Sequence, residues 1–222
     1  MLDTTTQRDF ASRANPRVKK PLIEDLVWSK QKRVYYRNNR PVTAPQMAKL
    51  VDSIAQQAGA EVDALARKLI AGTINEAEFA IGMAEQIKRG HRAMAILSYG
   101  GAENMTPKEW GRVGQLVKAQ NGFLANFVNQ IENGEVALGD ALAARARLYM
   151  EALYGSYQNL SLDREKKAGV MMAKRLLSAA QHCPQCPGYQ RTEWTPIDEI
   201  TPIGVNCDCK VNCRCTIVYG EG

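Results

Sequence analysis

What the chain lacks narrows its chemistry before any motif is read. The first 182 residues contain no cysteine, and only two histidines, His91 and His182, occur among all 222 residues. No run approaches the ~18 consecutive apolar residues of a membrane span, so no membrane contact is expected. The opening MLDTTTQRDF lacks the basic-then-apolar order of a secretion signal, and a protein kept in a cytosol is expected. Walker and Rossmann glycine patterns are absent. A zinc deaminase needs H-x-E followed by P-C-x-x-C; here no H-x-E exists, and Pro184 follows the first cysteine. A Cys–His nucleophile pair would have to use His182 beside its own neighbour Cys183, which is poor geometry. The reading is therefore not an enzyme, with no catalytic residue and no cofactor-binding residue apart from metal ligands.

Charge is unevenly distributed. Residues 1–42 hold ten Lys/Arg and four Asp/Glu, whereas the remaining 180 hold nineteen of each. All of the net +6 thus sits in an N-terminal arm. Such an arm suits an acidic protein surface or nucleic acid; the alternative is a solvated tail. Pro16 and Pro21 break any periodicity over 1–33, leaving one apolar patch with an expected helical turn around Ile23–Trp28. That patch either docks on a partner or folds back through Trp28 onto the body. Val34–Val42 reads as a β-hairpin turning at Asn38-Asn39, residues that tolerate the positive φ of a two-residue turn. Trp28, Arg33, Tyr35, Tyr36, Arg37 and Arg40 are the candidate partner-binding residues, fitted equally to a phosphate backbone or an acidic protein groove.

From Thr43 onward the pattern is helical. Thr43-Ala-Pro-Gln46, Asn75-Glu-Ala-Glu78 and Thr106-Pro-Lys-Glu109 have the form of helix caps, the last with Pro at the first helical position and Glu at the third. Apolar stripes follow each: Met47, Leu50, Ile54, Ala58, Leu65, Leu69; then Phe79, Met83, Ile87, Met94, Leu97; then Trp110, Val113, Val117, Leu124, Phe127, Ile131. A fourth helix is expected from about Val136 to Tyr157, and a fifth, more basic, from Asp163 to about Ala180. His91, beside the second stripe, reads as a satisfied structural histidine. The fold class is mainly α: an antiparallel bundle of about five helices, with an extended arm and hairpin before it and a small Cys-rich β module after it. The expected divisions are 1–43, 44–180 and 181–222.

That last module holds all six cysteines. Cys183-Pro-Gln-Cys186 is a knuckle that brings two thiolates to one point, and Cys207-Asp-Cys209-Lys-Val-Asn-Cys213-Arg-Cys215 follows after twenty residues. In a reducing compartment such clustering favours structural Zn(II), with a disulfide framework as the alternative. Six cysteines compete for four places. Cys183, Cys186, Cys209 and Cys213 are the favoured ligands, with Cys207 and Cys215 as bystanders or alternates. Trp194, Pro196, Ile197, Ile200, Pro202 and Ile203 are the expected mini-core. A module of about forty residues buries too little apolar area to stand alone, so metal would supply much of its stability.

Taken in order, Tyr35-Tyr36-Arg37, Ile87-Lys88 with His91, Tyr99-Gly100-Gly101 with Met105, Trp110-Gly111, Ala143-Ala144-Arg145-Ala146 with Tyr149, His182-Cys183 with Cys186, Trp194-Thr195-Pro196 and Asn212-Cys213-Arg214-Cys215 form a recognisable series. The chain resembles the minor head proteins of tailed bacteriophages, the Mu F-like phage head morphogenesis family, from about residue 34 onward. The N-C-R-C ending is the most specific element. Two departures stand out: Lys-Val-Asn precedes Cys213 where many relatives have an H-P-x-C-R-C ending, and with seven residues after Cys215 a tethered toxin or enzymatic domain is not expected. The resemblance implies a structural virion protein of the head, assembled in the host cytoplasm, present as an oligomer, and bound to portal or major capsid protein. A head–tail adaptor ring, or a zinc module contacting packaged DNA, are the alternatives. Residues 181–222 carry three basic and five acidic side chains, which argues mildly against DNA on that module.

Overall fold

The computed structural model describes residues 25–178 and 182–220. Most of the arm, and the start of the turn expected at Ile23, lie outside the described residues. The observed architecture is mainly α with two small antiparallel sheets.

Strands β1 (Leu26–Ser29), β2 (Val34–Arg37) and β3 (Arg40–Pro41) form an antiparallel meander. The hairpin between β2 and β3 turns at Asn38 and Asn39, both at positive φ (51° and 60°), as their side chains allow. Leu26–Trp28 is therefore strand rather than helical turn: Trp28 pairs with Tyr35 across β1 and β2, and cross-strand aromatic packing outweighs the local helical spacing.

Helices α1 (Ala44–Ile70), α2 (Glu76–Tyr99), α3 (Pro107–Glu132) and α4 (Asp140–Lys167) build the body. The capping boxes form as expected: the Gln46 carboxamide oxygen accepts from Thr43 N at 2.9 Å, and Glu78 accepts from Asn75 N at 3.0 Å. Glu109 accepts from Thr106 N at 2.6 Å. Short connections alternate the helix directions. Glu61 of α1 meets Arg89 of α2, Arg92 of α2 lies over Trp110 of α3, and Asp63 of α1 pairs with Arg147 of α4. Phe79, Met83, Ile87, Met94 and Leu97 are all buried, so the second stripe is core along its length. On α1 the buried line runs through Val51, Ala55, Val62 and Ala66, one position round from the expected Ile54, Ala58 and Leu65, which are half-buried. Small residues allow this close approach; Gly90, for instance, lies under Leu153 with no room for a Cβ.

The fifth helix is not where the sequence places it. Asp163–Lys167 continue α4, the chain turns at Gly169 (φ +78°), and Met172–Leu176 is a strand, β4. Its side chains alternate, with Ala173 and Arg175 buried and Met172, Lys174 and Leu176 half-buried, the period of a strand. A short helix α5 (Cys186–Tyr189) and strands β5 (Arg191–Pro196) and β6 (Thr216–Gly220) are the remaining helix and strands among the described residues. β4 is the central strand of the second sheet, between β5 and β6. The Cys-rich module thus recruits residues well before 181.

Candidate metal centre

The second sheet and the Ile197–Glu199 turn roof a small core. Ile197, Ile200, Ile203 and Ile217 are buried there with Cys186, Cys207, Cys213 and Cys215. The expected mini-core holds for the three isoleucines. Trp194 is instead 38% exposed, its ring 4.6 Å from the Lys174 ammonium.

Against this core the cysteines converge. All six are free thiols. The Sγ atoms of Cys183, Cys186, Cys207 and Cys209 all lie within 4.8 Å of one another. Cys186 Sγ is 3.5 Å from both Cys183 Sγ and Cys209 Sγ. A metal–sulfur bond of about 2.3 Å places the corners of a regular tetrahedron about 3.8 Å apart, so the observed spacing fits a tetrathiolate metal and exceeds by far the ~2.05 Å of a disulfide. The knuckle is preformed: Cys186 N donates to Cys183 O at 3.1 Å, and Cys183 N donates to Cys209 Sγ at 3.3 Å. Burial raises the Cys183 thiol, but hydrogen bonds from Cys209 and Cys186 outweigh it and bring the pKa down to about 6. The fall at Cys183 is matched by a rise at Cys186, which burial and the same Cys183 contact push up.

Three of the four expected ligands, Cys183, Cys186 and Cys209, belong to this set, and Cys207 stands in the fourth place instead of Cys213. Lys210–Asn212 form a 3-10 turn that carries Cys213 away from the four-sulfur group. Cys213 Sγ accepts from Arg175 Nη2 at 3.8 Å. A hydrogen bond from Cys215, helped by the Arg175 charge, pulls the Cys213 thiol down to about 4, while the same contact and burial push Cys215 up. Sequence reasoning missed Arg175, which is fully buried and also donates to Thr201 O at 2.8 Å. Its signal was the period-2 alternation of Ala173 and Arg175.

In the N-C-R-C element the two cysteines face inward and Arg214 faces the bundle. Arg214 pairs with Glu151 of α4, reaches Asp52 of α1 at 3.4 Å, and lies over the Tyr154 ring. Asn159 of α4 clamps Ile203 from both sides, accepting from its N–H at 2.7 Å and donating to its carbonyl at 2.9 Å. The Gln158 carboxamide oxygen accepts from Ile217 N. The module is therefore fastened along one face of α4.

The partner-binding candidates divide. Trp28 rests on Gly100 and beneath the Arg164 guanidinium, 4.7 Å away. Tyr35 is buried and donates from its hydroxyl to Leu97 O at 2.9 Å; burial pushes its pKa above the ordinary tyrosine value. Arg33 pairs with Glu165 and Arg37 with Asp25. Tyr36 is half-buried, and Arg40 is exposed at the hairpin tip. His91 is buried, its Nε2 2.7 Å from Gln120 Oε1, while Gln120 Nε2 donates to Tyr149 O. It bridges helices and takes no part in the centre.

Compared with known proteins, the chain matches no family model, no curated protein and no solved structure.

Proposed function

We propose that this chain is a structural minor head protein of a tailed phage, acting at the portal vertex or inner shell in head assembly, with its cysteine centre holding zinc as a clasp. The observation that carries the reading is the two-sided N-C-R-C element. Its cysteines are buried in the small core that also holds Cys186 and Cys207 of the four-sulfur group, and its arginine fastens that core to α1 and α4. The motif that resembles the family thus does mechanical work. Four thiolates of preferred tetrahedral spacing suit Zn(II), which is redox-inert and content with a closed coordination shell. A closed shell leaves no position for a reacting water, in keeping with a structural role. Metal would fix the module, and the module would brace the bundle that presents the hairpin tip and the basic arm to portal or capsid protein.

Co-assembly with purified portal of the encoding phage, using the full chain and a chain lacking residues 1–42, tests this. Loss of binding on deletion is expected; undiminished binding overturns the arm's role. If packaged DNA were the partner, affinity would fall steeply with salt. Failure of the full chain to bind portal or major capsid protein, or to appear in particles, would overturn the assembly reading.

A further inference from the structure

Four sulfurs do not exhaust the donors at this centre. His182, Cys186 and Cys215 form a second group whose ligand atoms also lie within 4.8 Å of one another, and Cys186 belongs to both groups. Cys213 lies outside that three-atom group but is buried in the same small core as Cys186 and Cys215, two residues before the latter. Two tetrahedra that share one corner require seven donors, and His182 with the six cysteines makes seven.

The hydrogen bonding of His182 leaves one ring nitrogen available to a metal. Its Nε2 lies 2.8 Å from Ser178 O. A carbonyl only accepts, so Nε2 carries the proton and Nδ1 keeps its lone pair. A ring N–H tied to a backbone carbonyl is the usual support of a metal-binding imidazole. Arg175 supplies a separate indication. Its side chain is fully buried, and among the described residues no carboxylate lies in ion-pair range of it. A buried cation needs a counter-charge; besides the Thr201 and Pro202 carbonyls and the Tyr189 ring, Arg175 faces Cys213, whose thiolate would supply one. Six thiolates outweigh two divalent ions by two negative charges, which a neighbouring guanidinium partly offsets while donating to a bound sulfur.

We propose that the module binds a second zinc-class ion on His182, Cys213 and Cys215, with Cys186 bridging it to the first. This rests on the metal reading of the four-sulfur group. The first ion would tie the knuckle to Cys207 and Cys209. The second would tie it to the segment that enters β6, and would lie deeper, since Cys213 and Cys215 are buried whereas Cys183 and Cys209 are half-buried.

Native mass spectrometry with elemental analysis, on full-length protein made with zinc and kept reduced, counts the ions. Two zinc ions per chain are expected. One per chain overturns the second ion and leaves the first; none, with six intact thiols, overturns both. His182→Ala and Cys215→Ser should each lower the count from two to one, and variants that still hold two overturn the ligand assignment. If either variant does not fold, stepwise Co(II) titration of the wild-type chain replaces it. Thiolate-to-cobalt absorption should then rise through two equivalents, and saturation at one overturns the inference.

Discussion

At the scale of single residues, Arg214 and Arg175 do different work with the same guanidinium. Arg214 ties the module to Glu151 and Asp52, half-exposed carboxylates on two helices. Arg214→Ala should cost about 2 kcal/mol, the range for hydrogen bonds to charged groups, read as a lower urea midpoint with unchanged slope. No loss of stability would show that the module docks without it. His91 makes a pH-dependent contribution. Burial holds its pKa below the ordinary value of 6.5, the Gln120 hydrogen bond working in the opposite direction. The unfolded chain therefore takes up a proton that the folded chain refuses, so stability falls as pH drops below the unfolded value toward the folded one. His91→Gln should flatten the stability curve between about pH 7 and 5, checked by urea melts across that interval; identical slopes would sink the assignment. The clustering of cysteines was legible in the sequence, because knuckle spacing is a local property. The choice of Cys207 over Cys213 was not, since it depends on the turn at Lys210–Asn212. Arg175 was hidden for another reason: beside Lys174 it reads as one more charge on a basic helix.

At the scale of elements, capped helices were the most legible features and β4 the least. Thr43, Asn75 and Thr106 begin α1, α2 and α3 where local chemistry puts them. β4 follows a genuine helix after only a short turn, and its alternation is masked by a buried arginine. Its place at the centre of a sheet depends on partners some twenty and forty residues away, β5 and β6. The hairpin turn was visible at Asn38-Asn39, but β1 required the Trp28–Tyr35 contact, which no local pattern announces. The N-terminal sheet is seated through Gly100, which has φ +77° and would place a Cβ only 2.3 Å from Trp28 ring atoms. Gly100→Ala combines a left-handed backbone with a clash, and should cost about 1–3 kcal/mol. Tryptophan fluorescence should shift to the red as Trp28 leaves its seat. An unshifted spectrum with wild-type stability would mean that the sheet is held elsewhere.

At the scale of the whole molecule, stability is divided between a bundle with a large apolar core and a module with a small one. Chelation under reducing conditions should lower the melting temperature and loosen residues 182–220, while most helical circular dichroism persists. Hydrogen exchange should quicken first around the knuckle and β6, and only later in α1 and α2. Simultaneous loss of all helical signal would contradict this division. The central claim is that the cysteine cluster is a metal clasp. Its most direct test is zinc content of reduced, full-length protein, paired with thiol labelling before and after denaturation in chelator. Bound zinc is expected, with the thiols protected until the metal is removed. Metal-free protein whose six thiols are intact and freely labelled in the folded state would contradict it.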